Sequence, residues 1–134
     1  MALPTVGGGQ QIGDGNNSEV KLGNQAAPAT ATGDATLTVS QLLNGIILAT
    51  PGAAAAYTLP TVANLEATLT NAKVNSFFDF SVINLASSNY DITMTTNTGW
   101  TVTGGGVVVV QEASSARFRA RKTGDGTWQL YRLS

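Results

Sequence analysis

The stretch Phe77-Phe78-Asp79-Phe80-Ser81-Val82-Ile83-Asn84 decides the fold, and it holds three of the four phenylalanines in the chain. Phe78, Phe80 and Val82 fall on one side of a period-two pattern, and Asp79 and Ser81 fall on the other. That alternation belongs to a half-buried strand, because successive side chains of a strand point to opposite faces. Aromatic and β-branched residues favour the pleated surface, where they pack on cross-strand neighbours. Ile83 falls on the polar side of the count, so the second face is expected to be partly covered. The segment reads as a central strand with shorter strands closing around it, and its bulk points to a core position.

Composition narrows the chemistry. The 134 residues are enough for one domain with its own core. The formal charge is −1 and 11% of residues are charged, while fifteen Gly and many Thr, Asn, Ala and Val make the chain rich in turns and strands. Without Cys there is no disulfide framework and no thiolate metal site. Without His the usual general base, proton shuttle and zinc ligand is missing, which removes Ser-His-Asp catalysis and nearly all zinc chemistry. The near-neutral charge disfavours attachment to nucleic acid driven by charge. No apolar run approaches the roughly 20 residues of a membrane helix. Met1-Ala2-Leu3-Pro4 opens no secretion signal. The expectation is a protein that is not an enzyme, with no cofactor, metal, nucleic acid or membrane.

Residues 1–35 differ from the rest. Gly7-Gly8-Gly9, Gly13-Asp14-Gly15-Asn16 and Ala26-Ala27-Pro28-Ala29 carry little apolar area to offset the entropy of ordering them. One reading is a floppy leader. The other is an extended arm pegged onto a neighbouring subunit by the isolated apolar points Val6, Ile12, Val20 and Leu22, with Gly7, Gly8 and Gly9 among its contact residues. Thirty-five extended residues reach on the order of 100 Å. No phosphate loop is expected, because the Gly-x4-Gly-Lys-Ser/Thr pattern is absent. Asp14-Gly15-Asn16 lacks the Glu that closes a calcium loop.

From residue 36 to residue 134 the sequence reads as a β domain. Thr36–Val39 alternates as a short strand, Ser40–Gly45 reads as one helical turn closed by Gly, and 46–59 reads as a hairpin turning at Pro51-Gly52. Val62, Leu65 and Leu69 fall at helical spacing and predict one short helix that Thr61 caps. Alternating runs follow at Tyr90–Thr95 and Trp100–Thr103, then an apolar run at Val107–Val110. The final two runs, Ser115–Lys122 and Thr127–Leu133, are joined by Gly124-Asp125-Gly126, a strong hairpin signal. Roughly eight strands spaced at about 8–12 residues predict an all-β fold: an antiparallel jelly-roll or sandwich, or a small barrel.

Three groups of residues invite a functional reading. Arg117, Arg119 and Arg121 share one strand face, with Lys122 beside them, while Phe118 and Ala120 face the core. This cluster is a solvated face that keeps an edge from pairing, an electrostatic contact with an acidic partner, or, if Trp100, Trp128 or Tyr131 stack beside it, a nucleic-acid site. Trp128 and Trp100 are core residues or, in a different reading, an aromatic platform for sugar. Asp79 and Asp91 lie on neighbouring predicted strands, and a glycosidase needs two carboxylates about 5–10 Å apart in a cleft. Nothing else in the chain suggests such a cleft.

Several phrases carry a resemblance: Gly33-Asp34-Ala35-Thr36-Leu37-Thr38-Val39, Gln41-Leu42-Leu43-Asn44-Gly45-Ile46-Ile47, Tyr57-Thr58-Leu59-Pro60, Phe78-x-Phe80-x-Val82-Ile83-Asn84, Thr127–Leu133, and the leader Pro4–Gly9 with Gly13–Asn16. Together they resemble small virion proteins of tailed bacteriophages, and among these the capsid decoration, or cement, proteins. The resemblance implies a β-rich body, often a homotrimer, on the outer surface of the capsid over joints between copies of the major capsid protein. It implies a mechanical task, clamping the shell against internal pressure. Similar modules in tail and head fibres imply the alternative, recognition of a glycan on the host surface.

Overall fold

The computed structural model describes residues 23–104 and 108–134. The Phe77–Asn84 stretch forms strand β5, an interior strand of a sheet. Phe80, Val82 and Asn84 are buried and Asp79, Ser81 and Ile83 are half-buried, as the alternation predicts. Before β5 come β1 (Ala29–Ala31), β2 (Ala35–Thr36), helix α1 (Val39–Asn44), β3 (Ile46–Ala49), β4 (Ala55–Thr58) and helix α2 (Val62–Thr68). After it come β6 (Ile92–Thr95), β7 (Trp100–Val102), β8 (Val109–Val110), β9 (Ser115–Gly124) and β10 (Thr127–Arg132). The strands form a six-stranded sheet in the order β1-β3-β5-β9-β10-β7 and a four-stranded sheet in the order β2-β4-β6-β8.

This architecture corrects the expected antiparallel all-β fold. Among the described residues the fold is mixed α/β, with two helices and with parallel and antiparallel pairs in both sheets. β1, β3 and β5 run parallel, and so do β2, β4 and β6. The physical reason lies in the connections. Each of the first three strands of the larger sheet is followed by a strand of the smaller one, so the chain returns to each sheet pointing the same way. Parallel neighbours need such a crossover, and α1 and α2 lie in the first two returns. Pro51-Gly52 therefore turns the chain from one sheet to the other, and the hairpin expected over 46–59 does not form. The strand expected over Thr36–Val39 ends at Thr36, because Val39 begins α1. The hairpin at Gly124–Gly126 does form, between β9 and β10.

The two crossovers are built from the same short phrase. Thr36-Leu37 and Thr58-Leu59 end a strand of the smaller sheet, and Leu37 N–H and Leu59 N–H extend its ladder to Thr58 O (2.7 Å) and Thr95 O (2.8 Å). A threonine then caps each helix: Thr38 Oγ1 accepts from Gln41 N (3.1 Å) and Thr61 Oγ1 from Asn64 N (3.3 Å). Val39 and Val62 open the helices, and Leu42 and Leu65 follow at the same spacing, both fully buried. In α1 the Gln41 side chain completes a capping box by accepting from Thr38 N (2.8 Å), while its Nε2 donates to Thr30 O (3.1 Å) on β1, the edge strand. Gln41 thus covers part of an edge that would otherwise offer free backbone groups to another chain.

Side chains of both sheets and both helices meet in one core that includes Leu37, Ile47, Tyr57, Leu65, Phe80, Phe118 and Trp128. Tyr57 OH donates to Ala31 O across the two sheets (3.1 Å). Asn84 is buried with its amide fully used: Nδ2 donates to Tyr90 O (2.8 Å) and Val110 O (3.2 Å), and Oδ1 accepts from Ala86 N (3.0 Å). Gly99 is a point of close approach. It sits at φ +93°, and a Cβ there would lie 2.6 Å from Val62 Cβ and 2.7 Å from Gly126 O. Gly99→Ala is expected to cost about 2–4 kcal/mol, since left-handed strain and a backbone clash add. Gly52→Ala, with open space around it, should be nearly neutral. Urea melts of the two variants test this pair.

Candidate functional site

β9 alternates as its sequence predicts: Ala116, Phe118 and Ala120 are buried, and Arg117, Arg119 and Arg121 emerge on the outer face of the six-stranded sheet. Antiparallel pairing sets Ser81 opposite Arg117, Asp79 opposite Arg119 and Phe77 opposite Arg121. Asp79 therefore lies within reach of two arginines. Arg119 grips it with both arms, Nε to Oδ1 at 2.7 Å and Nη2 to Oδ2 at 2.9 Å, and Arg117 Nη2 reaches Oδ2 at 2.7 Å. Planar two-armed contacts of this kind are short, strong and directional. The same Arg119 guanidinium lies 4.1 Å from the centroid of the Phe77 ring, which is 57% exposed. Farther along β9, Arg121 donates to Tyr131 OH on β10 (3.0 and 2.8 Å) and to Asn75 Oδ1 just before β5 (2.8 Å). Thr101, Gln129 and Thr103 continue the face as a polar chain toward β7.

Lys122 does not belong to this group, which corrects its place beside the arginines. One residue beyond Arg121 it points inward, is 7% exposed, and forms an ion pair with Glu66 of α2 (3.2 Å). Glu66 also accepts from the Trp128 indole (3.2 Å) and from Gly126 N (3.1 Å), and so ties α2 to the β9–β10 hairpin. Burial would raise the Glu66 carboxyl, but hydrogen bonds from Lys122, Trp128 and Gly126 and the Lys122 charge hold it below its ordinary value. The Asp79 carboxyl is also held low, chiefly by the Arg119 hydrogen bonds; burial opposes this, and Arg117 and both positive charges add to it.

The other sequence-based candidates separate. Trp128 is 1% and Trp100 7% exposed; they pack on each other with Phe78 alongside, and the Trp100 indole donates to Pro60 O (2.7 Å). Neither presents a free face to a sugar or a base. Asp91 immediately precedes β6 of the smaller sheet and its Oδ1 accepts from Glu112 N (3.3 Å), whereas Asp79 lies on β5 of the larger sheet and is held by Arg117 and Arg119. Among the described residues no group of three His, Cys, Asp or Glu is placed to hold a metal ion. The arm residues Val6, Gly7, Gly8, Gly9, Ile12, Val20 and Leu22 lie outside the described residues. Sequence reasoning missed Phe77 and Asp79 as companions of the arginines, and offered Tyr131 only as a ring to stack on a base. Period two places each on a face of its own strand, but which strands adjoin is not written in it.

Comparison with protein-family models, with curated proteins and with solved structures gave no match.

Asp79 and Glu66 have depressed folded-state values, so their contribution is fully present above the ordinary carboxylate range and is lost as pH falls through those values. Stability measured by urea melts is expected to hold down to about pH 5 and to fall below about pH 4. A D79N/E66Q double variant should start lower and lose less over that window. Separately, Lys122→Met leaves a partly buried carboxylate without its cation and should cost about 3 kcal/mol, read in the same melts.

Proposed function

We propose that the protein is a structural virion component that seats on the outer surface of a phage capsid, as a homotrimer, and stabilises contacts between major capsid proteins. The observation that supports this reading most is the outer face of the six-stranded sheet. Arg117, Arg119 and Arg121 are held there in fixed positions by Asp79, Tyr131 and Asn75, with the exposed Phe77 among them. Arginine and aromatic residues dominate binding hot spots, and side chains already held in place lose little entropy when a partner docks. Asp79 at the centre of the group disfavours a phosphate backbone as the partner, since its carboxylate sits where a phosphate would come.

In this reading the resemblance to decoration proteins makes the capsid the partner of the arm residues Val6, Ile12, Val20 and Leu22, and the arginine face serves the contact between copies in the trimer. Many weak contacts repeated over a lattice give tight attachment without any one being strong. Immunogold labelling of virions with an antibody to residues 36–134 tests the proposal. Gold over the head surface is expected. Gold confined to tail or fibres, or no label on any virion, overturns it.

A further inference from the structure

The arginine face has a counterpart on the same molecule. Three strands of the smaller sheet bring carboxylates to one rim: Asp34 immediately precedes β2, Asp91 immediately precedes β6, and Glu112 follows β8, which runs antiparallel to β6. β4 lies between β2 and β6, and the rim is tied together by Asp34 Oδ1 accepting from Ala56 N (2.7 Å), Ala55 N donating to Asp91 O (3.0 Å) and Asp91 Oδ1 accepting from Glu112 N (3.3 Å). Asp34 is exposed and Asp91 half-exposed; Glu112 is half-exposed as a residue, with its Oε2 buried. Arg132 donates to Val109 O on β8, and even with that cation counted the rim stays net negative.

The charges on the chain are therefore divided. The outer face of the larger sheet carries three arginines against one aspartate, while the whole chain is −1, so the remainder is net negative. The scale of the two surfaces also matches. Arg117 and Arg121 are four residues apart on one strand, about 13 Å, and Asp34 and Asp91 flank a strand, about 10 Å. Opposite charges at such spacings attract over about a Debye length and set which surfaces meet.

We propose that the Arg117–Arg119–Arg121 face of one copy docks on the Asp34–Asp91–Glu112 rim of a second copy. Phe77, exposed and stacked under Arg119, sits within the docking face and supplies apolar area that water leaves on contact. The contact joins two different surfaces, so it is head-to-tail, and repetition closes it into a ring when the rotation allows. This deepens the proposed self-association and does not depend on the capsid, because it is measured on the purified protein.

Sedimentation velocity of the full chain tests it. Self-association is expected at about 50 mM NaCl and should weaken several-fold by about 500 mM. Arg117→Glu should weaken it on the order of ten-fold, as should an Asp34→Lys, Glu112→Lys variant. Arg117→Glu and Arg121→Glu together with both rim reversals, which make the face net negative and the rim net positive, should restore it, and Arg117→Lys should change it little. Mixing the Arg117→Glu, Arg121→Glu variant with the rim-reversed variant should bring back association that neither shows alone. Near-UV circular dichroism of each variant, matching the parent, establishes that loss of association is not loss of fold. A monomer under all conditions overturns the proposal, as does association untouched by either reversal or not restored by their combination. A parent that is monomeric yet labels virion heads would sink this inference together with the trimer and leave the attachment to the capsid standing.

Discussion

The pairing of β5 with β9 is the constraint on which the molecule depends. One register sets two surfaces at once. On the inner side it stacks Phe80 on Phe118, with ring centroids 5.4 Å apart. On the outer side it places Asp79 opposite Arg119 and within reach of Arg117. Side chains alternate, so a slip of one residue would send the aromatic pair to solvent and the arginines into the core. The cost of that exchange holds the register. Lys122 shows how closely the pattern is kept: the same alternation that exposes Arg121 buries its neighbour, and Glu66 from α2 neutralises it there.

That constraint links fold to use. An arginine on a mobile surface spends entropy when it is ordered by a partner. Here two of the three arginines are already ordered by Asp79, and the third by Tyr131 and Asn75. Arg117 is 55% and Arg119 37% exposed, so their pairs with the half-buried Asp79 add only modestly to stability, and they hold the arginines ready for contact. The carboxylate rim of the smaller sheet gives the molecule a second charged surface of opposite sign. A mixed α/β body whose opposed charges occupy separate surfaces suits a protein that works by being held between neighbours.

Much of this was legible in the sequence at the level of single strands. The alternation of Phe77–Asn84, the outward arginines of β9, the Thr61 cap, the glycine that ends α1 and the Asp125-Gly126 hairpin are local signals with local causes. The parallel arrangement was not legible, because a period of two is the same in parallel and antiparallel strands. The Pro51-Gly52 turn suits a corner between sheets as well as a hairpin. A signal was present nonetheless. Thr36-Leu37-Thr38-Val39 and Thr58-Leu59-Pro60-Thr61-Val62 repeat the same order of strand end, cap and helix start, and a repeat of that kind marks successive passes through one architecture. The tryptophans were misleading as candidates for a platform, since each indole finds its partner inside the molecule. The companions of the arginines were hidden because Phe77 and Asp79 lie about forty residues away in sequence, and only the β5–β9 register joins them.

The most direct measurement of the central claim is hydroxyl-radical footprinting of Phe77 and Tyr131 in the isolated chain and in its assembled state. Leu85, exposed elsewhere on the molecule, serves as the internal reference. If the outer face of the larger sheet is the working surface, oxidation of Phe77 and Tyr131 drops several-fold on assembly while Leu85 is unchanged. Equal oxidation of Phe77 in both states would contradict the account, because the face held by Asp79 would then remain in water when the protein is at work.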